Sequence, residues 1–412
     1  MKYDIAIIGG GPAGMMAAGR AGELGARVVL LEKNNRPGIK LLMTGKGRCN
    51  ITNKIEEPRM MAERYGKNGK FLLSLFHGFG TEDVINFFES RGVMTKVEKG
   101  NRVITKNDRS QDVLDALLGY LKEGRVEIRF NSEAKEIIRK ANRIEKIILA
   151  DGEEIIADKF IICTGGKSYP VTGSTGDGYA WAKNLGHTVM ALLPALTPVI
   201  VGEKIVKELE GLSLKDVEIS AYKDNKKIDS KSGEALFTGD GMSGPIVINM
   251  SKVIARELPG KVELRIDFMP ELDLKALDQK IQKEFQEGNN KLFRNSLDSL
   301  LPQKLIPIIV RLSKIDPEKK VNLVTREERK SLLHFLKSFS LEVRGVMGFE
   351  KAMVTSGGIS LNEVDPKTMR SKIIDNLFFA GEVLDLDGPT GGYNLQICWS
   401  TGHAAGEAAA LN

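Results

Sequence analysis

Y-D-I-A-I-I-G-G-G-P-A-G, residues 3–14, is the stretch from which the rest of the chain is read. The apolar run 3–8 has the length of a short buried strand, and it enters a glycine cluster with G-x-G-x-x-G spacing at Gly9, Gly11 and Gly14. Each glycine has a mechanical task in such a turn. The first makes the turn tight, the second lets a pyrophosphate approach backbone, and the third lets the following helix sit close to the strand. Pro12 and Ala13 begin that helix, whose N-terminus favours negative charge. Gly14, Ala18 and Ala21 recur at i, i+4 and i+7, a small-residue stripe suited to close packing on a sheet, and Gly25 supplies the stop. Residues 27–31 read as a second buried strand. Glu32 stands at its carboxyl end, where an acid can hold ribose hydroxyls. An acid in that place, rather than Arg, argues against an NADP 2′-phosphate and leaves FAD or NAD open.

The bulk of the chain fits a two-domain protein of ordinary composition: 412 residues, 42% hydrophobic and 28% charged. The start lacks the charged, apolar and cleavage regions of a signal peptide, and no apolar run approaches the roughly 18 residues of a membrane span. A cytoplasmic location and no membrane partner are the expectation. Cys49, Cys163 and Cys398 form no CxxC pair, and His77, His187, His334 and His403 share no ligand spacing, so no metal is expected. The net charge is +6, and residues 275–340 alone hold 14 Lys or Arg against 8 Asp or Glu. That stretch reads either as a solvated helical surface or as an attractor of a polyanion such as RNA.

The choice between FAD and NAD comes from later motifs. Residues 125–130 read as a strand, and 143–149 with 153–156 as a hairpin about Asp151-Gly152. The buried run 160–163 follows, then Thr164-Gly165-Gly166. A β-meander followed by a strand ending in T-G-G resembles the two-dinucleotide-binding-domain flavoproteins, in which that turn lies near the FAD. Ala134 then falls where such proteins contact adenine through backbone. N-L-F-F-A-G-E at 376–382 resembles their late FAD motif, with Gly381 in the turn and Glu382 as the acid that bonds the ribitol. Gly391, Gly392, Tyr393, Asn394 and Leu395 open an alanine-rich helix. Its N-terminus, aimed at the flavin's pyrimidine end, would stabilise negative charge on the N1 and O2 side of reduced flavin.

K-L-L-M-T-G-K-G-R-C-N-I-T-N at 40–53, G-G-K-S-Y-P-V-T-G-S-T-G-D-G at 165–178 and G-E-V-L-D-L-D-G-P-T-G-G-Y-N-L-Q at 381–396 make the resemblance specific. With these motifs the chain resembles, over essentially its whole length, the YhiN/BaiN-like, or aminoacetone-oxidase-like, family of bacterial FAD-dependent oxidoreductases. The resemblance implies an α/β fold: a Rossmann-like FAD-binding domain interrupted by an insertion with a small β-barrel and a helical part. The expected boundaries are 1–191, 192–345 and 346–412, with the chain returning to the FAD domain at Val354-Thr355-Ser356-Gly357-Gly358. It also implies FAD as cofactor, with NADH or NADPH as a candidate electron donor. Lys33, Lys40, Thr44, Gly45, Gly47, Arg48, Cys49 and Asn50 join the glycine-turn residues as expected cofactor contacts.

Flavin would carry the redox step, so protein groups need only orient substrate, tune the ring and supply a proton. The candidates lie in the 44–50 loop, where Gly45 and Gly47 allow backbone against the ring while Lys46 and Arg48 bring positive charge. Cys49 has no second cysteine nearby for a dithiol relay. It reads either as a structural residue or as a thiol of lowered pKa acting as acid or nucleophile. Tyr393 and Lys167 are further candidates near the ring. Many family members carry His where Gly239 stands here, so any role of that histidine does not transfer. Gly239, Gly241 and Gly244 form a second G-x-G-x-x-G before a helix at Pro245 and a strand at 262–268. It reads as a nicotinamide site or as ordinary helix-start chemistry.

The expected activity is hydride transfer between flavin and a substrate C=C or C–N bond. Family substrates include amines, steroid-like enones and a uridine of ribosomal RNA reduced to dihydrouridine. The motifs do not choose between a small molecule and ribosomal RNA, although the basic insertion tilts the reading toward RNA. The rival is a non-catalytic FAD-binding redox sensor or RNA-binding flavoprotein.

Overall fold

The opening apolar run forms the strand Lys2–Ile8, parallel to Val28–Leu31 on one side and to Glu154–Ile162 on the other. The structure is a computed structural model and describes residues 2–411. Glu127–Arg129 extends the sheet beyond Val28–Leu31, and Leu377–Phe379 pairs with Glu154–Ile162, both in parallel. Ile5 to Ile8 and Val28 to Leu31 are buried throughout, which is why these strands read as unbroken apolar runs rather than as alternation. The helix Pro12–Glu23 follows the first strand, and Gly25 leaves it at φ +88°. Its small face packs closely on the C-terminal helix Tyr393–Leu411. A Cβ on Gly402 or Gly406 would lie 2.5 and 2.3 Å from the carbonyl oxygens of Ala13 and Ala17. That contact falls on Ala13 and Ala17, beside the Gly14, Ala18 and Ala21 stripe rather than on it.

The Asp151-Gly152 turn joins Arg143–Leu149 to Glu154–Ile162, with Gly152 at φ +88°. Its second arm continues to Ile162, so the hairpin arm and the later buried run are one strand. Burial alternates over its first half, where it pairs antiparallel with Arg143–Leu149, and is continuous at 160–162, where it lies between parallel strands. Polar Asp158 and Lys159 mark the change of surroundings, and they are what made the run look interrupted.

The described residues divide into two compact units, one running to Leu193 and resuming at Ala352, the other Pro194–Lys351. The second unit contains a closed barrel of six strands: Val199–Val201, Gly241–Ser243, Lys226–Thr238, Ser213–Lys223, Val262–Asp267 and Phe339–Val346. Asp224 and Asn225, both at positive φ (48° and 63°), make the turn between its two longest strands. The helices Leu274–Glu287, Ile306–Ser313 and Arg326–Lys337 add their apolar faces to the barrel's own core.

In this unit the second G-x-G-x-x-G meets a structural demand. A Cβ on Gly241 would lie 2.1 Å from the Val199 carbonyl oxygen, and one on Gly244 would lie 2.8 Å from the Ala235 Cα. Barrel backbone occupies the space where a dinucleotide would have to approach. The nicotinamide reading of Gly239, Gly241 and Gly244 is therefore corrected in favour of helix-start and barrel packing. Among the described residues no helix is long and apolar enough to cross a membrane.

Candidate functional site

The amino-terminal glycines divide the labour in space. Gly9 sits at φ +105°, and a Cβ there would lie 2.5 Å from the Cys163 carbonyl oxygen. Gly14 lies so close to the turn that a Cβ would stand 1.9 Å from the Gly9 carbonyl oxygen. At Gly11, by contrast, a Cβ would meet nothing within 4 Å. Gly11 also stands at the cap of helix Pro12–Glu23, where no side chain caps the first turn and Pro12 has no N–H to satisfy.

This open backbone lines a cleft. Gly9, Gly11, Pro12 and Ala13 form one wall, with Glu32, Lys33, Asn34, Lys40, Ala134, Thr164, Gly165, Gly381 and Glu382 around it. Glu32 is buried, and one carboxylate oxygen accepts from the Gly10 N–H at 2.9 Å. Its other oxygen accepts from the Asn34 backbone N–H at 2.8 Å and from the Asn34 amide at 2.7 Å. The carboxylate is thus held at the end of its strand before any ligand arrives. Lys33 turns to the far side of the cleft, donating to Thr175 Oγ1 at 2.5 Å and to Asp177 at 2.7 Å. Asn34 also donates to the Thr172 carbonyl at 3.2 Å, so residues 172–177 are tied to the 32–34 corner. Thr164 Oγ1 is buried and has no hydrogen-bond partner.

At the cleft's other end Lys40 donates to one Glu382 oxygen at 2.9 Å, and the Thr355 N–H donates to the other at 2.8 Å. The Tyr179 hydroxyl donates to the Glu382 carbonyl at 3.3 Å. Burial pushes that phenol well above its usual pKa, so it remains a donor. Gly166 stands behind the wall, where a Cβ would lie 2.4 Å from Thr355 Oγ1. Asn34, Thr172 to Ser174, Asp177, Cys398, Thr355 and Tyr179 were not singled out from sequence. Thr172 to Ser174 and Asp177 lay within the 165–178 motif without being named, and Asn34, two residues after the acid of the strand end, carried a turn signal of its own, since Asn favours turns in which its side chain bonds nearby backbone.

The 44–50 loop and residues 392–395 do not line the cleft. The loop is built from left-handed backbone, with Gly45, Lys46, Gly47 and Cys49 all at positive φ. Lys46 is exposed, whereas Arg48 donates to Glu98 at 3.0 Å and stands 3.9 Å from Asp108, so its charge is met by acids. Cys49 is wholly buried, and burial pushes its thiol up to about 12 while the Thr44 hydroxyl pulls weakly the other way. The thiol of lowered pKa allowed by the sequence is corrected: a cationic neighbour in sequence does not offset removal from water. Lys46 and Arg48 lend Cys49 no activation.

Asn394 accepts from the Gly388 N–H at 2.9 Å and donates to the carbonyls of Gly388 and Pro389 at 2.9 and 3.1 Å. Its amide therefore pins the preceding loop. Tyr393 is buried, with its carbonyl accepting from the Tyr65 hydroxyl at 2.9 Å, and a Cβ on Gly392 would lie 2.3 Å from the Thr52 backbone.

The family described as HI0933-like protein Rossmann domain matches residues 3–408. The chain is 32% identical to the 3-dehydro-bile acid delta(4,6)-reductase of Clostridium scindens, over 98% of each chain. It is 29% identical to the ribosomal RNA dihydrouridine synthase of Escherichia coli, again over 98% of each. Among solved structures, the 3-ketosteroid-delta4-(5alpha)-dehydrogenase from Rhodococcus jostii RHA1 superposes with a TM-score of 0.55 at 15% identity, covering 100% of this chain and 97% of that one. At that identity the likeness is one of fold. Family match, full-length relatives and shared fold agree: the chain belongs to the HI0933-like Rossmann-domain family of FAD-dependent oxidoreductases.

Proposed function

We propose that the chain holds FAD along the cleft and, with NADH or NADPH as electron donor, reduces a ring carbon–carbon double bond of its substrate. The observation that supports the cofactor assignment is the cleft's donor set. Glu32 is fixed to accept from ribose hydroxyls, and the open Gly11 backbone at an uncapped helix start suits a pyrophosphate. Ala134 offers backbone to an adenine. Glu382 suits the hydroxyls of a ribityl chain. The flavin end would then extend past Glu382, beyond the cleft itself, toward Thr44, Gly45, Gly47 and Asn50 and the backbone groups of Gly392 to Leu395, with exposed Lys46 at the approach of substrate. FAD supplies two-electron redox chemistry when bound.

The substrate class rests on the names of the two relatives. One is a delta(4,6)-reductase and the other a dihydrouridine synthase, and both names denote saturation of a ring carbon–carbon double bond. A second reading, that the acceptor is a uridine in ribosomal RNA, is favoured by the charge of the helical part of the second unit. Among the described residues Lys275, Lys280, Lys314, Lys320 and Lys330 there are exposed or half-exposed and have no acidic partner, whereas Arg294, Lys319 and Arg329 are paired with Glu318, Glu328 and Asp278.

Both readings are tested by anaerobic stopped-flow absorbance of the purified protein with NADH and NADPH, followed by a steroid-like enone or ribosomal RNA. Bleaching by either nucleotide and recovery with an acceptor is the expected outcome. Recovery with RNA that weakens steeply with salt supports the second reading. Failure of both nucleotides to bleach the protein contradicts the proposed donor.

A further inference from the structure

The segment Val354-Thr355-Ser356-Gly357-Gly358 has so far been given no task. It forms the strand Val354–Ile359, and two of its glycines let it slot between neighbours. A Cβ on Gly357 would lie 2.1 Å from the Ala191 carbonyl oxygen, and one on Gly358 would lie 2.7 Å from the Leu384 backbone. This fit delivers Thr355, fully buried, to the foot of Glu382. Its N–H donates to Glu382 Oε1 at 2.8 Å, the oxygen that Lys40 does not hold. Its hydroxyl accepts from the Lys167 N–H at 2.7 Å and lies 3.0 Å from the hydroxyl of Ser168, which is also fully buried. A Cβ on Gly166 would strike both Thr355 Oγ1 and Glu382 Oε1, at 2.4 and 2.7 Å, so that glycine leaves the room in which they meet.

We propose that Thr355 is the positioning residue for Glu382: it joins the 165–168 turn to the Glu382 carboxylate, so that two walls of the cleft grip the cofactor as one piece. The inference rests on the reading of Glu382 as an FAD ligand. The physical reason is the cost of leaving buried donors without partners. Without the hydroxyl, the Lys167 N–H loses this acceptor and the Ser168 hydroxyl loses this partner, and the turn can replace them only by moving. Because Thr355 carries both contacts on one residue, movement of the turn is transmitted to the seat of Glu382. The residue 355 N–H is still there to donate, but from a displaced seat, so more of the hold on the carboxylate passes to Lys40 and its flexible stem.

The test measures FAD affinity of the flavin-stripped protein, and the flavin midpoint potential after reloading, for Thr355→Val, Thr355→Ser, Glu382→Gln and the Thr355→Val/Glu382→Gln pair. Thr355→Val is expected to weaken FAD binding about tenfold, as a lost buried hydrogen bond does, and Thr355→Ser to restore it. The pair is expected to bind no more weakly than Glu382→Gln alone, and both single variants to shift the potential in the same direction, because they act through one carboxylate. Should Thr355→Val not fold, Ser168→Ala removes one contact of the same hydroxyl and carries the same expectation of non-additivity. Additive losses, or unchanged affinity in Thr355→Val while Glu382→Gln weakens binding, overturn the positioning role alone. Unchanged affinity in Glu382→Gln overturns the reading of Glu382 as a ligand, and the inference with it.

Discussion

Two turns of this chain share the spacing G-x-G-x-x-G, at Gly9, Gly11 and Gly14 and again at Gly239, Gly241 and Gly244, and each precedes a helix that begins at a proline. Their middle glycines differ in what they face. Around Gly11 the backbone is open and lines a cleft, whereas Gly241 is pressed against the Val199 carbonyl within a closed barrel. The same residue type at the same spacing leaves room for a ligand in one turn and for a neighbouring strand in the other. Spacing shows that backbone comes close to something there; only the fold shows to what.

That contrast can be broken most sharply at Gly11. A Cβ there meets no protein atom within 4 Å and sits on the wall of the cleft, so Gly11→Trp is expected to fold with nearly unchanged melting yet purify without flavin. Flavin absorbance after purification checks this, and a fully yellow variant would place the pyrophosphate elsewhere. At Gly241 the effects should reverse. Gly241→Val is expected to cost about 3 kcal/mol or more by overpacking the barrel, read as a lowered denaturation midpoint, while the fraction that folds keeps its FAD. Loss of flavin from a stably folded Gly241 variant would restore the second turn as a nucleotide site.

The smallest effect is expected at Cys49. Its thiol, pushed up to about 12, stays protonated through neutral pH, so alkylation of the folded protein should stay slow and rise little between about pH 7 and 9. Turnover of Cys49→Ala should remain within about twofold of the parent, since a buried protonated thiol lends the reaction no charge. An inflection in turnover near the ordinary thiol pKa, lost in the variant, would reinstate it as an acid.

The parts legible in the sequence are those whose cause is local. The strand, turn and helix at the amino terminus follow from apolar patterning and glycine spacing within about 30 residues, and the Asp151-Gly152 hairpin follows from turn chemistry at two positions. Glu32 and Glu382 could be singled out because each ends a short apolar strand. What holds them could not: Asn34 apart, their partners are Gly10, Lys40 and Thr355, of which Lys40 comes to Glu382 from 342 positions away and Thr355 from a separate strand with no pattern linking the two. The environment of Cys49 was illegible for a related reason. Lys46 and Arg48 precede it closely in sequence, but burial, a property of the whole lobe, sets its proton affinity. The small-residue stripe on the first helix was visible, while the C-terminal helix that packs beside it lies nearly 400 positions away.

The most direct measurement is the identity and amount of flavin released when the freshly purified protein is denatured, with Gly11→Trp alongside. The expected result is FAD in stoichiometric amount from the parent chain and none from the variant. FMN in its place, no flavin from the parent, or equal FAD from both would contradict the assignment of the amino-terminal cleft as the cofactor site.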